Sequence, residues 1–252
     1  GGPLAADVLT SARIAPPMTG MGLLEAIPVA SLEAAADPED ADGDGISGRL
    51  NQVWDSASGS TMAGRFGWKA GQPTVRQQSV GALHDDMGIT SPDVPENCHN
   101  QGSLCTVEPG ADDEPEMSAT DMDDQVFYNR TIAVPIARNV DDAAVVRGAN
   151  RFVDVGCSSC HTTTQRSGDD EIAGLAGQTF HPFTDLLLHD LGDGLADGRP
   201  EFEASGQEWR TAPLWGVGLT ETVNGHSQLL HDGRARNLLE AAIGRHAWRL
   251  RE

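Results

Sequence analysis

Cys157-Ser158-Ser159-Cys160-His161 is the stretch that decides how this chain reads. Two thiols three residues apart, with a histidine directly after the second, form the attachment signature of c-type haem. Each thiol adds to one vinyl group of the porphyrin, and the short tether swings the next imidazole under the iron. Cys157 and Cys160 are therefore the expected covalent anchors, and His161 the expected proximal ligand. Half of a zinc site is the competing reading, but it needs a second ligand pair at comparable spacing. The other cysteines, Cys98 and Cys105, have six residues between them, among them His99. The zinc pattern is not met.

Working outward, Asp141 or Asp142 caps a helix running to about Val155. Val145, Ala149, Phe152 and Val153 fall on one face of it at helical spacing, and Gly156 ends it just before the haem motif. That is the first helix expected of a cytochrome c domain. A last helix spans Leu238 to Arg249, with Leu239, Ala242 and Ile243 aligned on one side.

The second axial position of a haem iron separates electron transfer from chemistry. No methionine follows Met122, so the ligand is sought among His181, His189, His226, His231 and His246. His246 stands 3, 4 and 7 residues after Ile243, Ala242 and Leu239, and so projects from the apolar face of the last helix. It is the preferred candidate. His231, in the His231-Asp232-Gly233-Arg234 turn, and His189 follow.

In the first half, Gly20 to Ala36 reads as helix interrupted by Pro28, 37 to 51 as an acidic loop, and Trp54 to Thr74 as glycine-punctuated chain. Val75 to Asp86 reads as a short helix, and 88 to 125 as loop. Asp40, Asp42 and Asp44 occupy positions 1, 3 and 5 of a calcium-type loop with Gly45 at position 6. Asn51 stands where an EF-hand has glutamate, so a simpler Asp-rich structural calcium loop is expected. An internal repeat joins the halves: Arg13-Ile14-Ala15-Pro16 with Gly20-Met21-Gly22-Leu23-Leu24-Glu25 returns as Arg210-Thr211-Ala212-Pro213 with Gly216-Val217-Gly218-Leu219-Thr220-Glu221. The second copy has the haem motif upstream. The first has only twelve residues before it and no such motif.

Bulk composition limits the partners. A balance of 17 basic to 38 acidic residues gives a formal charge of −21, which argues against nucleic acid and anionic membranes as targets, since these need a basic face. It suits a positively charged redox partner. Covalent haem attachment belongs outside the bacterial cytoplasm, where disulfides persist, so Cys98 and Cys105 are expected to be bridged. No run of 18 apolar residues exists to span a bilayer. The chain begins Gly1-Gly2-Pro3, without initiator methionine or signal peptide, as a processed, trimmed or partly sequenced product would.

Together with Cys157–His161, the strings Arg210-Thr211-Ala212-Pro213, Leu230-His231-Asp232-Gly233-Arg234 and Leu239-Glu240-Ala241-Ala242 resemble the bacterial dihaem cytochrome c peroxidase superfamily. Gly22-Leu23-Leu24-Glu25-Ala26-Ile27-Pro28, Asp40 to Arg49, Arg65-Phe66-Gly67-Trp68-Lys69-Ala70, Asp86-Met87-Gly88-Ile89-Thr90 and Thr184 to Asp190 are closer to its dihaem oxidoreductase branch, often labelled "thiol oxidoreductase". The resemblance implies a mainly α fold of two tandem cytochrome c-like domains, an extracytoplasmic location and haem redox chemistry. Residues 1–135 would be the loop-rich remnant of a first domain, and 136–252 the haem domain. It also puts the distal ligand on the helix after the His-Asp-Gly turn, where His246 falls. His84 and Met87 lie where a distal ligand for a lost first haem would sit, and without that haem they read as packing residues.

The expected function is a mono-haem, six-coordinate electron-transfer unit. The alternatives are a peroxidase-like enzyme whose catalytic haem lies in a missing front segment or another subunit, and a calcium-stabilised structural subunit of a redox complex.

Overall fold

The computed structural model describes residues 5–96 and 115–249, and side chains as far as 243. Helix accounts for only 30% and strand for 13%. This corrects the mainly α expectation. The architecture is short helices and three two-stranded antiparallel hairpins strung along loops. The reason lies in the backbone: among the described residues, thirteen glycines and seven other residues adopt positive φ. Each such residue turns the chain out of helix or strand geometry.

Pro28 divides the first apolar stretch into α1 (Met21–Glu25) and α2 (Val29–Ala35), itself capping α2. A glycine-punctuated region then folds as the hairpin β1 (Gln52–Asp55) and β2 (Ser60–Ala63), with Gln52 opposite Ala63. α3 (Val75–Gly81) is capped by Thr74, whose hydroxyl accepts from Gln77 N, and continues as a π-helical turn over Ala82–Asp86. The stretch read as loop contains the start of α4 (Ala119–Thr131), where the Ser118 hydroxyl accepts from Asp121 N. Ser-x-x-Asp was the available signal for that helix start.

α5 (Ala143–Asp154) forms where the spacing places it. The Asp142 carboxylate accepts from Ala144 N at 2.6 Å, and Gly156, at φ 78°, ends the helix at the haem loop. Two further hairpins follow, β3 (Gln165–Arg166) with β4 (Thr179–Phe180) and β5 (Leu188–Asp190) with β6 (Glu208–Arg210). α6 (Thr220–Asn224) and α7 (Leu238–Arg249) complete the chain.

The main core joins Met21, Leu24, Ile27, Leu32, Phe66 and Val75 from the first half to Phe180 and Leu186 from the second. The internal repeat is visible in three dimensions. Gly20 and Gly216 both take left-handed geometry immediately before a short helical segment. A side chain at Gly20 would strike Val134 and Trp215, and one at Gly216 would strike Pro135, so both copies close on the same connecting segment. The leading arginines diverge. Arg13 pairs with Asp197 and Glu201, whereas Arg210 is buried and donates to the Gly67 and Thr211 carbonyls. Arg210 thus braces the turn before Pro213.

Candidate functional site: the haem loop and its clamp

Cys157–Ser159 form a single 3-10 turn after Gly156, leaving Cys157 partly exposed and Cys160 buried. Residues 182–189 run beside this loop and hold it. Thr184 N donates to the Thr162 carbonyl and Asp185 N to the Cys160 carbonyl, each at 3.1 Å. Phe183 and Leu186 both carry positive φ, at 56° and 62°. Such backbone is costly for residues with side chains and persists where the surroundings enforce it. Here it aims the Phe183 carbonyl at the haem loop. His161 Nδ1 donates to that oxygen at 2.7 Å.

This contact fixes the tautomer and ring orientation of His161, so that ligation falls to Nε2. Phe152 of α5 packs edge-on to both His161 and Phe183. Val145, Val146 and Val153 of α5 are exposed, and no residue of that helix is buried. Two thiols, an oriented imidazole and an adjoining apolar helix face fit a covalently held haem.

Among the other histidines, His189 lies at the back of the loop, buried. Its Nε2 donates to Asp185 Oδ2 and its Nδ1 to the Ser47 carbonyl, each at 2.8 Å, with Cys160 Sγ 3.6 Å from Nδ1. Burial alone would push this imidazole down. Hydrogen bonding and charge from Asp185 and Cys160 outweigh burial and raise its pKa to about 10. Both nitrogens of His189 are thus committed within the protein, where they clamp the loop.

His231 is also buried, but in another setting. Its ring stacks on Trp209 at 3.6 Å between centroids, with Trp68 edge-on, and Lys69 Nζ lies 4.0 Å over the other ring system of the stack, Trp209. Burial lowers its pKa. His181 and His226 are exposed, engaged with Thr163 and Thr164 and with Gln228 N respectively. His246 lies within α7, and its side chain falls outside the described residues. The Cys98–Cys105 pairing lies outside them as well. His84, in the π-turn, bonds Asp85 and the Glu96 carbonyl, and Met87 is exposed.

The acidic loop brings together Asp37, Asp40 and Asp42, with ligand oxygens within 4.8 Å of one another, instead of the Asp40, Asp42 and Asp44 set read from spacing. Asp44 turns to accept from Ile46 N. Asp37 joins because its backbone pairs with Gly48, closing the loop at its base. That closure was hidden from a reading by spacing alone. So were Asp185, Phe183 and Ser47, whose roles depend on a loop-to-loop approach rather than on any helical or strand period.

A haem-binding donor set on a loop so constrained defines the class: a haem redox protein. The family comparison is narrower. Residues 3–249 match the family described as "Di-haem oxidoreductase, putative peroxidase", and the chain belongs to that family. Neither the curated proteins nor the solved structures searched contain a match.

Proposed function

We propose that this chain is the electron-transfer unit of a di-haem oxidoreductase, with one c-type haem held between His161 and His246. The observation that carries the reading is the 2.7 Å hydrogen bond from His161 Nδ1 to the Phe183 carbonyl, the second-sphere contact a proximal histidine requires. The bound iron would supply one-electron chemistry. Cys157 and Cys160 would anchor the porphyrin, the exposed valines of α5 would supply apolar cover, and the sequence of α7 sets His246 at helical spacing from Leu239, Ala242 and Ile243. His246 is favoured further because both nitrogens of His189 are engaged elsewhere. Two imidazoles leave no position for peroxide, which favours relay over catalysis. In this reading residues 1–135 descend from a first cytochrome c-like domain and 136–252 form the haem-bearing one.

The working site is extracytoplasmic, and no described helix is long and apolar enough to cross a membrane. The charge of −21 suits a basic redox partner. Calcium held by the Asp37–Asp42 carboxylates would clamp the acidic loop, and a melting temperature that rises with added Ca2+ and falls with chelator checks this part alone.

A second reading, favoured by the family description, is a peroxidase whose catalytic haem belongs to a segment outside this sequence or to another subunit. An absorption spectrum of the ferric protein separates the two. Relay predicts a low-spin spectrum indifferent to peroxide and cyanide, turned high-spin by His246→Ala. A high-spin wild type that reacts with peroxide supports the enzyme instead.

A further inference from the structure

The deepest polar contact at the haem loop is one that proximal ligation does not use. Cys160 is 1% exposed, and its sulfur faces the ring of His189. Three chain segments converge there: the haem loop, the end of the acidic loop, and β5. Gly48 permits the approach, since a Cβ at that position would lie 2.8 Å from His189 Cε1. Backbone bonds between Arg49 and Leu188 in both directions lock the acidic loop to β5 at the same level.

The donor and acceptor roles follow from the partners. The Ser47 carbonyl and the Asp185 carboxylate accept only, so both ring nitrogens of His189 donate. Nδ1–H therefore points a shared donor at Ser47 O and at the Cys160 sulfur, which acts as acceptor. Asp185 is itself fixed: its Oδ1 accepts from Leu187 N at 2.9 Å, and the buried Arg210 guanidinium lies within electrostatic reach.

We propose that His189, held by Asp185 and the Ser47 carbonyl, presents and polarises the Cys160 sulfur for covalent attachment of haem. Asp185 is the positioning residue. The step is an addition. The S–H bond of Cys160 breaks, a C–S bond forms at the vinyl carbon next to the porphyrin ring, and the proton goes to the terminal vinyl carbon, which becomes a methyl group. No electron is gained or lost, so haem with its vinyl group is the only co-reactant. Negative charge builds on sulfur as its proton leaves, and a donor already aimed at it stabilises that charge without reorganisation. Cys157 is partly exposed and no such clamp is described for it, which makes the two sulfurs inequivalent. This inference rests on the haem reading above.

The test counts thioether links sulfur by sulfur in holoprotein, by intact mass and by peptide mapping after alkylation of unreacted thiols. Wild type should carry haem through both sulfurs. His189→Leu should raise the alkylated fraction of Cys160 by about tenfold, the scale of one lost charge-assisted hydrogen bond, with the Cys157 link retained. Asp185→Asn keeps an acceptor for Leu187 N and should give a smaller rise in protein that still folds, at a lower melting temperature, so the proposal stays testable if His189→Leu fails to fold. In a Cys160→Ala background, His189→Leu should leave the Cys157 link unchanged. Full linkage of Cys160 in both variants overturns the proposal, and equal loss at Cys157 and Cys160 does so too, by assigning His189 to the fold alone. A wild type without covalent haem overturns the haem reading and this inference together. A loaded wild type with indifferent variants overturns only the inference.

Discussion

Two parts of this molecule treat apolar side chains in opposite ways. Around α1, α2, β1 and α3, together with 175–211, the chain seals its own interior: Ile27 and Leu32 are 1% exposed, and even the Lys69 side chain is enclosed, its ammonium donating to the Ser205 and Glu208 carbonyls beside Asp197. In α5, the connection at 136–140 and α7, valine, leucine and isoleucine face outward, Ile136 and Ile243 among them. The first part is stabilised by side chain against side chain. The second leaves apolar area uncovered, which gains only when something else covers it, and the proposed haem would do so. A sequence with 5% aromatic residues makes that division understandable, because haem brings the large flat apolar surface that the chain does not supply.

The largest effect should come from removing the anchors. Cys157→Ala/Cys160→Ala protein should lose amide protection across α5, to the ~0–1 kcal/mol opening free energy of a frayed segment, while amides of β1 and α3 stay protected. Hydrogen exchange reads both parts at once. A uniform loss would mean that the two parts are one cooperative unit and would break the contrast.

A matched pair of truncations sharpens it next. Ile27→Ala should cost about 2–5 kcal/mol in any state, through lost burial and the cavity left behind. Ile243→Ala should cost no more than about 0.5 kcal/mol in haem-free protein, as at other surface positions, and clearly more once haem is loaded. Denaturant melts of the four samples decide it, and equal costs at Ile243 with and without haem would remove α7 from the binding face.

How legible this was in the sequence follows the same line. Local signals were sound: Asp142 and Gly156 bound α5, Pro28 splits α1 from α2, and Leu238–Arg249 is one helix. The mainly α expectation failed because helical periodicity says nothing of positive-φ residues such as Phe183, Leu186 and Leu230. In the site, Cys157, Cys160 and His161 stand out in the sequence because the attachment signature has a fixed spacing, and what the structure adds is the contact of His161 with the Phe183 carbonyl. Asp185 and His189 also sit four apart, yet they meet across an extended turn and strand, so a helical reading of that spacing would have given the wrong reason. Asp37 was missed for a kindred cause, since only the Asp37–Gly48 bridge brings it to the other carboxylates.

The two buried histidines offer a smaller test, by pH. His189 has a folded pKa raised to about 10, so its contribution is complete below about 6.5 and fades as pH rises toward about 10. His231 is lowered by burial, so its folded form resists protonation, and its contribution fades as pH falls below the usual histidine value. The slopes have opposite sign and meet near neutrality. His189→Gln should flatten the alkaline limb of a stability–pH curve and leave the acid limb in place. Loss of the acid limb instead would assign that limb to His189 and take it away from His231 in the Trp209 stack.

The smallest effect is the most local. Asp142 caps α5 through Ala144 N, and Asp142→Ala should cost about 1 kcal/mol, the usual loss for a helix N-cap. Where that cost registers depends on the contrast between the two parts. If α5 covers the porphyrin as proposed, haem-loaded protein would couple it to the rest, and the loss should show in global unfolding. In haem-free protein it should show only as faster exchange within α5, because a helix that buries none of its own residues transmits little to the core. Comparing the two states therefore measures how far haem joins α5 to the sealed part. Equal global costs in both would mean that the helix was already part of that core.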